Sequence, residues 1–575
     1  VKKGANPLLR IDLQRWRMRV VMILLFGGFA ALTARATYLQ TWQNDFLNKE
    51  GGKRVNRVVE IPAHRGMITD RRGEPLAIST PVESIWINPQ EAQATPQQMQ
   101  ALATLLDADP DALRRSFSDK KKSFVYLRRQ MPPEIAAEVM ALNIKGINST
   151  PDYRRYYPSG EVMAQVVGVT GVQDQGLEGL EVVYESWLDG EPGAKRVLKD
   201  RLGNTVEDLE LLRLPKHGRD LTLSINLQLQ YLAYRELADA LAHNQAKAGA
   251  IAVLDVRTGE ILALVNLPAF NPNNRATMSQ GRSRNRAVSD VYEPGSTMKP
   301  FLVAAALEAG TVKPETRIDT GPGWLMVGEK RISDVHPKGN LTVAEAIQVS
   351  SNVATAKIAL DMKSEDYWRL LNRVGFGAQP NAGLASEASG RLRPYASWRP
   401  IEKATMAFGH GMSVSLLQLT RAYASLATDG ILPPVTVLKR RELPLGQRVM
   451  SVETARAVRA MLELVTQEGG TAPQARVIGY RVAGKTGTAH KLVDGRYAAD
   501  KYIASFVGLA PASNPRLVAA VMIDEPNGKQ YYGGLVAAPV FSRVMTGALR
   551  LLAVPPDAPY KSLTPPPGEV VGEAT

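Results

Sequence analysis

Cysteine is missing from all 575 residues of the chain. That absence excludes a disulfide framework, a zinc–thiolate site and a thiol nucleophile, and a chain without free thiols suits an oxidising compartment. Zinc-finger spacing, an RNP string and a GxGxxG organisation are missing too. The formal net charge of +14 therefore has no nucleic-acid motif beside it, and nucleic acid is not an expected partner. No internal repeat is evident. With 45% hydrophobic and 22% charged residues the composition is globular, and the length allows two or more domains with real cores.

Part of the positive excess is local. In the first nineteen residues Lys2, Lys3, Arg10, Arg15, Arg17 and Arg19 face one acid, Asp12. Val20 to Ala34 then carries no charge; these fifteen residues fall short of the roughly 20 that span a bilayer. Continuing to Leu39 completes the span, because Arg35 can snorkel to the interface, and Trp16, Tyr38 and Trp42 fall where interfacial aromatics belong. The basic flank comes first, so the positive-inside rule predicts a cytoplasmic N-terminus, a single-pass inner-membrane anchor and everything beyond Gln40 outside. Ala34-Arg35-Ala36 has the small-x-small form of a signal-peptide cleavage site; the central arginine and long apolar run favour a retained helix. A second basic cluster comprises Lys120, Lys121, Lys122, Arg128 and Arg129. It reads as a solvated loop, or as a contact for acidic lipid headgroups or an anionic polymer.

Residues 50 to 215 hold turns and charges but little catalytic vocabulary. The run Ile61 to Gly73 predicts a strand entering a turn, with Gly73 suited to positive φ. Helical patterns follow at Pro96 to Leu106 and Pro132 to Leu142. The arginine-rich strings around Arg65 and Arg155, with Glu178 and Glu181, fit buried Arg–carboxylate pairing in a scaffold better than a second active site. From Leu221 the character changes. Leu221 to Asn226 reads as a strand and Leu227 to Asn244 as an amphipathic helix. Ala250–Val256 and Ile261–Asn266 flank Arg257-Thr258-Gly259-Glu260, a β-hairpin signal. Later strands are predicted at Tyr480–Thr488, Tyr502–Leu509 and Leu517–Ile523, with helices between Pro300 and Leu464. An antiparallel sheet packed with helices, α+β, fits this layout. The end of the chain around Pro565-Pro566-Pro567 offers no apolar periodicity and reads as disordered.

Three short strings stand in order in the second half: Ser296-Thr297-Met298-Lys299, Ser350-Ser351-Asn352 and Lys485-Thr486-Gly487-Thr488. Singly they are weak. Another S-x-x-K runs from Ser118 to Lys121, and further S-x-N strings occur at Ser224–Asn226 and Ser283–Asn285. Context separates the first string from its decoy. Glu293-Pro294-Gly295 breaks the chain, and Pro300 to Leu307 is a buried-helix pattern that tolerates Pro300 only in its first turn. A helix starting near Ser296 puts that serine at the positive end of the helix dipole and Lys299 on the same face one turn on. A serine hydroxyl needs a base within reach, and lysine serves only if desolvation or a neighbouring cation such as Lys485 lowers its pKa.

The second string lies at a break between helical patterns, where an N-cap is the plain reading; facing a Ser–Lys pair, Ser350 can relay protons and Asn352 can bind substrate amides. In the third, alternation puts Thr486 and Thr488 on one strand face, where two hydroxyls can hold a carboxylate. Gly487 leaves room for a ligand to approach, and Lys485 must curl round the strand edge to contribute charge. The backbone N–H groups of Ser296 and Thr488 are candidates for an oxyanion hole. Such equipment performs acyl transfer without histidine, cysteine, metal or cofactor.

S-x-x-K, S-x-N and K-T-G in this order resemble the penicillin-recognising acyltransferases. Arg65 to Arg71 with Gly73, Arg155-Tyr156-Tyr157-Pro158, Glu293 to Ser296, and Tyr531-Tyr532-Gly533-Gly534 extend the likeness to class B penicillin-binding proteins, most like the division-specific D,D-transpeptidases of Gram-negative bacteria. The resemblance implies a basic segment over 1–19, a transmembrane helix over 20–40, a non-catalytic pedestal over 41–219, a transpeptidase domain over 220–555 and a tail over 556–575. It implies Ser296 as nucleophile, Lys299 as base, Ser350 as relay, and Thr486 and Thr488 as the carboxylate grip. Stem peptides of septal peptidoglycan would be the substrate, β-lactams the inhibitors, and division-complex membrane proteins including a glycosyltransferase the partners. Asn226 stands where aspartate is common, and His410 where tyrosine is common. No glycosyltransferase segment precedes the pedestal, which argues against a bifunctional class A enzyme. A β-lactamase, a D,D-carboxypeptidase, an elongation-specific transpeptidase and a non-catalytic division scaffold are the competing readings.

Overall fold

The computed structural model describes residues 15–43, 56–199, 205–274, 276, 278–493, 495–528 and 530–558. The basic residues before Arg15 and the expected tail from 559 onward lie outside the described residues. A helix over Arg15–Thr41 is long and apolar enough to cross a membrane, and none of it is buried in the protein. It overruns the expected span at both ends. The Thr33, Thr37 and Thr41 hydroxyls donate to carbonyls four residues back, which satisfies polar groups that lipid cannot.

In the pedestal, Pro75–Ile87 is the spine, pairing antiparallel with Val125–Met131 on one side and Ile147–Tyr156 on the other. Helices Pro96–Leu106, Pro110–Ser118 and Pro133–Ala141 bury Ile85, Ile87, Leu102, Leu106 and Val139 in a core of their own. The first helix has its expected bounds because a Thr95–Gln98 capping box starts it. The arginine-rich strings are scaffold, as their composition indicated. Arg65 and Arg155 each reach a different oxygen of the fully buried Glu181 at 2.7 Å, and Arg65 also meets Glu185 at 2.6 Å. Two guanidinium groups thus face two carboxylates, so the buried charges cancel.

The turn after Ile68–Thr69 joins the pedestal to the second domain. Asp70 Oδ1 accepts from the backbone N–H of Arg72 and Glu74, while Oδ2 accepts from Leu227 N at the start of helix Leu227–His243. Asn226 Oδ1 caps the same helix through Leu229 N, so a neutral residue suffices where a carboxylate arrives from the pedestal. The expected strand Leu221–Asn226 is cut to Leu221–Thr222. Beyond it Ser224 donates to Ile261 O and Asn226 turns into the cap, which ends the ladder.

The second domain is built on five antiparallel strands in the order Ile261–Leu267, Ala248–Asp255, Leu517–Asp524, Arg496–Ala510, Ala483–Val493. Every residue of the first three is buried, because Leu227–His243 and Ala538–Leu551 pack on the sheet together with Leu416–Ala427. Burial on both faces explains their near-continuous apolar sequences. Ala483–Val493 is the edge strand, and the third string lies on it.

Candidate active site

Ser296 lies in a tight 3₁₀ turn over Gly295–Met298 that passes directly into the α-helix Lys299–Glu308. The helix therefore begins in a tighter form than the sequence predicts, with Pro300 in the first turn, where its missing N–H costs no hydrogen bond. Behind the turn, Thr297 Oγ1 donates to Pro294 O at 2.8 Å and the buried Tyr423 hydroxyl donates to Thr297 O at 2.7 Å. Gly409, at φ +82°, presses its backbone against Gly295; a Cβ there would lie 2.3 Å from Gly295 O. That close approach is why the His410 loop opens on glycine.

Lys299 is fully buried. Its Nζ donates to Ser350 O at 2.6 Å, Ser350 Oγ at 3.1 Å and Asn352 Oδ1 at 2.7 Å. Lys485, also fully buried, donates to Ser350 Oγ at 2.9 Å. Desolvation is the main force on both lysines: it drives Lys299 well below the usual lysine range, helped by repulsion from Lys485 and opposed by Asp334. It brings Lys485 down to about 7. A buried ammonium is the disfavoured form, so burial favours the neutral amine on both lysines.

Ser350 holds φ +61°, a strained value for a residue with a Cβ. The N-cap of helix Asn352–Asp361 is its neighbour: Ser351 Oγ accepts from Ala354 N. The capping reading of the second string thus applies to Ser351, which leaves Ser350 to the lysines. Asp334, which sequence reasoning missed, underlies the arrangement. One oxygen accepts from Ser351 Oγ at 2.7 Å; the other accepts from Asn352 N at 2.5 Å and Val353 N at 2.9 Å. Its position in the loop after strand Lys330–Ser333 carries no motif that would have marked it.

On the edge strand the expected alternation holds, with one correction. Lys485 has no need to curl round an edge, because the Ser296 turn packs against the face to which it points. A Cβ on Gly487 would meet Pro294 O and Thr297 Cγ2 at 2.9 Å. The room that the sequence reading gave to a ligand is filled by the nucleophile's own turn. Thr486 Oγ1 lies 3.0 Å from Thr471 Oγ1, and Thr488 Oγ1 accepts from Gly533 N at 3.0 Å.

A cleft of about 710 Å³ is lined by Ser296, Ser350, Asn352, Thr486 and Thr488 together. His410, His490 and Tyr532 are also on its walls; sequence reasoning did not single out His490. Burial lowers the His410 pKa, Glu293 opposes the shift, and Lys299 and His490 add to it. Glu293 itself accepts from Gly411 N at 2.8 Å and from the Tyr497 hydroxyl at 2.9 Å. The decoys are structural: Ser118 Oγ donates to Arg114 O within its helix, Ser224 to Ile261 O, and Asn285 Oδ1 accepts from Asn266. Among the described residues no cluster of metal-ligating side chains is present.

Serine acyltransferases that set lysines where others set histidine are the class that this fold and cleft define. The transpeptidase domain of penicillin-binding proteins matches residues 249–546, and the penicillin-binding protein dimerisation domain matches residues 60–223. The chain is 44% identical over 547 residues to a probable peptidoglycan D,D-transpeptidase PenA of Neisseria meningitidis, covering 94% of both chains. It is 41% identical over 550 residues to the peptidoglycan D,D-transpeptidase FtsI of Escherichia coli K12, covering 94% of this chain and 93% of that one. The transpeptidase domain of Burkholderia pseudomallei penicillin-binding protein 3 superposes with a TM-score of 0.55 at 48% identity, over 59% of this chain and 98% of that one. The chain belongs to the class B penicillin-binding proteins.

Proposed function

We propose that Ser296 is the acylated nucleophile of a peptidoglycan D,D-transpeptidase that cross-links stem peptides at the division septum. The chain is a serine-type transpeptidase by family; the residue roles rest on the chemistry of the cleft. Neutral Lys299 takes the proton from Ser296 Oγ as the oxygen attacks the carbonyl carbon of the penultimate D-alanine. The C–N bond to the terminal D-alanine breaks; Ser350 hands the leaving amine its proton and regains one from Lys299, which returns to its neutral form. The side-chain amine of a neighbouring stem then attacks the ester, loses a proton, and releases Ser296 with its hydroxyl restored. Thr486 and Thr488, with the charge of Lys485 nearby, hold the terminal carboxylate, and Asn352 meets the peptide amides. A β-lactam follows the first half of this path, its ring amide opening on Ser296.

The single observation that carries the proposal is Ser350 Oγ standing between the Nζ atoms of Lys299 and Lys485, at 3.1 Å and 2.9 Å. Three strings far apart in sequence meet there in one cleft with Ser296. The test is labelling with fluorescent penicillin, comparing the parent with Ser296→Ala, followed by mass spectrometry of the acylated peptide. The label is expected on Ser296 alone; a label on another serine overturns the assignment.

The apolar helix supports a single-pass anchor, and with the basic flank we place the N-terminus in the cytoplasm and the catalytic domain beyond the inner membrane. Division-complex membrane proteins, including the glycosyltransferase that supplies uncross-linked strands, are the partners this role requires. Filamentation on depletion, rather than rounding, distinguishes the septal role from an elongation role.

A further inference from the structure

The basic cluster of the pedestal divides once its contacts are known. Lys120 Nζ donates to the carbonyls of Pro89 and Ala92, and Lys122 pairs with Asp119. Arg129 pairs with Asp152 at 3.1 Å, and Arg155 is buried against Glu181. Arg128 and Arg154 are exposed, and neither forms an ion pair among the described residues. Both line a concave cleft of about 290 Å³ at the pedestal's border with the catalytic domain, whose Pro272 and Asn273 close the far wall. Asn273 is fixed there by hydrogen bonds to both backbone polar groups of Tyr157.

A second feature leads into that cleft. On the sheet face away from the three pedestal helices, Tyr126 pairs across from Trp86. The rings of Trp86 and Phe124 lie 4.8 Å apart and those of Phe124 and Tyr126 4.7 Å apart, and the Arg129 guanidinium sits 4.8 Å over Tyr126. Phe124 and Tyr126 remain 45% and 44% exposed. Contiguous exposed aromatics on a soluble face mark a binding surface.

We propose that this face binds an acidic glycan: a strand whose sugar rings lie on the Phe124–Tyr126 aromatics and whose peptide carboxylates reach Arg128 and Arg154. Pyranose rings present apolar C–H faces that match aromatic rings with a polar tip, and guanidinium forks match carboxylates bidentately. The two exposed arginines supply the charge that such a strand lacks, and the aromatics supply what an acidic lipid headgroup does not use. The inference rests on the transpeptidase reading for its choice of polymer, since the uncross-linked strand is what the Ser296 cleft consumes.

The test uses the full chain in detergent, with Ser296 first blocked by penicillin so that the catalytic cleft does not contribute. Soluble uncross-linked peptidoglycan strands, the same strands stripped of peptides, and phosphatidylglycerol vesicles are the probes. Strands are expected to bind, and Tyr126→Ala and the pair Arg128→Glu with Arg154→Glu are each expected to weaken binding about tenfold. Stripped strands are expected to keep the Tyr126 dependence and lose the arginine dependence. Penicillin labelling at the parental rate verifies that each variant is folded; if the double charge reversal fails it, the single Arg128→Gln change is read instead. Unchanged strand binding in these variants overturns the proposal, and so does vesicle binding as tight as strand binding with the same charge dependence. Failure of penicillin to label Ser296 would instead sink the transpeptidase assignment and leave the strand measurement to be judged separately.

Discussion

Asp334 and Ser351 are joined at 2.7 Å, and through that bond a loop without any motif sets the geometry of the Ser-Ser-Asn turn. The same carboxylate receives the first two N–H groups of helix Asn352–Asp361, a favourable place for negative charge at a helix N-terminus. It also works against the desolvation of Lys299.

Asp334→Asn should therefore act in two ways. Losing a charged cap is expected to cost about 1 kcal/mol of stability, seen in thermal unfolding. The Lys299 pKa should fall further once the opposing carboxylate is gone, so the acid limb of the penicillin acylation rate moves to lower pH. An unmoved limb would show that Asp334 does not act on Lys299.

Burial makes the pH profile bell-shaped. Acylation should rise with pH as Lys299 loses its proton, far below the ordinary lysine range. It should fall again as Lys485, lowered to about 7, loses the charge that faces the substrate carboxylate. Lys485→Arg keeps that charge and should extend the plateau to higher pH.

Stability should carry the same signature. Between about 7 and 10.5 the unfolded chain keeps the Lys485 proton that the folded chain has released. The Lys485 contribution to stability thus grows as pH rises through that window and is least favourable below it. Lys485→Met should flatten the pH dependence of the melting temperature there.

Ser350 separates backbone strain from chemistry. Ser350→Gly relieves the positive φ and Ser350→Ala retains it, so the glycine variant should be the more stable by about 1 kcal/mol. Both lose the hydroxyl that meets the two lysines, and both should acylate about 100-fold more slowly or worse. Stopped-flow acylation and calorimetry on the pair check this.

In the pedestal, Glu181→Gln leaves two buried guanidinium groups short of one charge. A loss of about 3 kcal/mol or more is expected from thermal unfolding. The folded fraction at low temperature should still acylate Ser296 at the parental rate, because Glu181 belongs to the scaffold and not to the cleft.

The elements that were legible in the sequence are those that local chemistry decides. Thr95 and Gln98 start a helix by themselves, and the two apolar runs Ala250–Val256 and Ile261–Asn266, joined across Thr258-Gly259, make a hairpin wherever they are placed. Ser296 was separable from Ser118 because a breaker cluster precedes it and a buried-helix pattern follows it, whereas Ser118 has neither beside it. What escaped was set by distant packing. Gly487 accommodates Thr297, almost two hundred positions earlier in the chain, and Asp334 reaches the second string across a turn of loop and strand. No periodicity marks either contact. The direction of Lys485 was legible, but what covered that face was not.

A hydroxyl has two lone pairs and one hydrogen. Ser350 Oγ receives a donor from Lys299 and another from Lys485, so both lone pairs are occupied by the protein itself. The remaining tetrahedral position is left for the hydrogen, and Ser350 lines the cleft with Ser296 and Asn352. The two lysine Nζ groups thus orient a hydroxyl that is not their own: by filling its acceptor sites they give the cleft a fixed polarity before any substrate has bound.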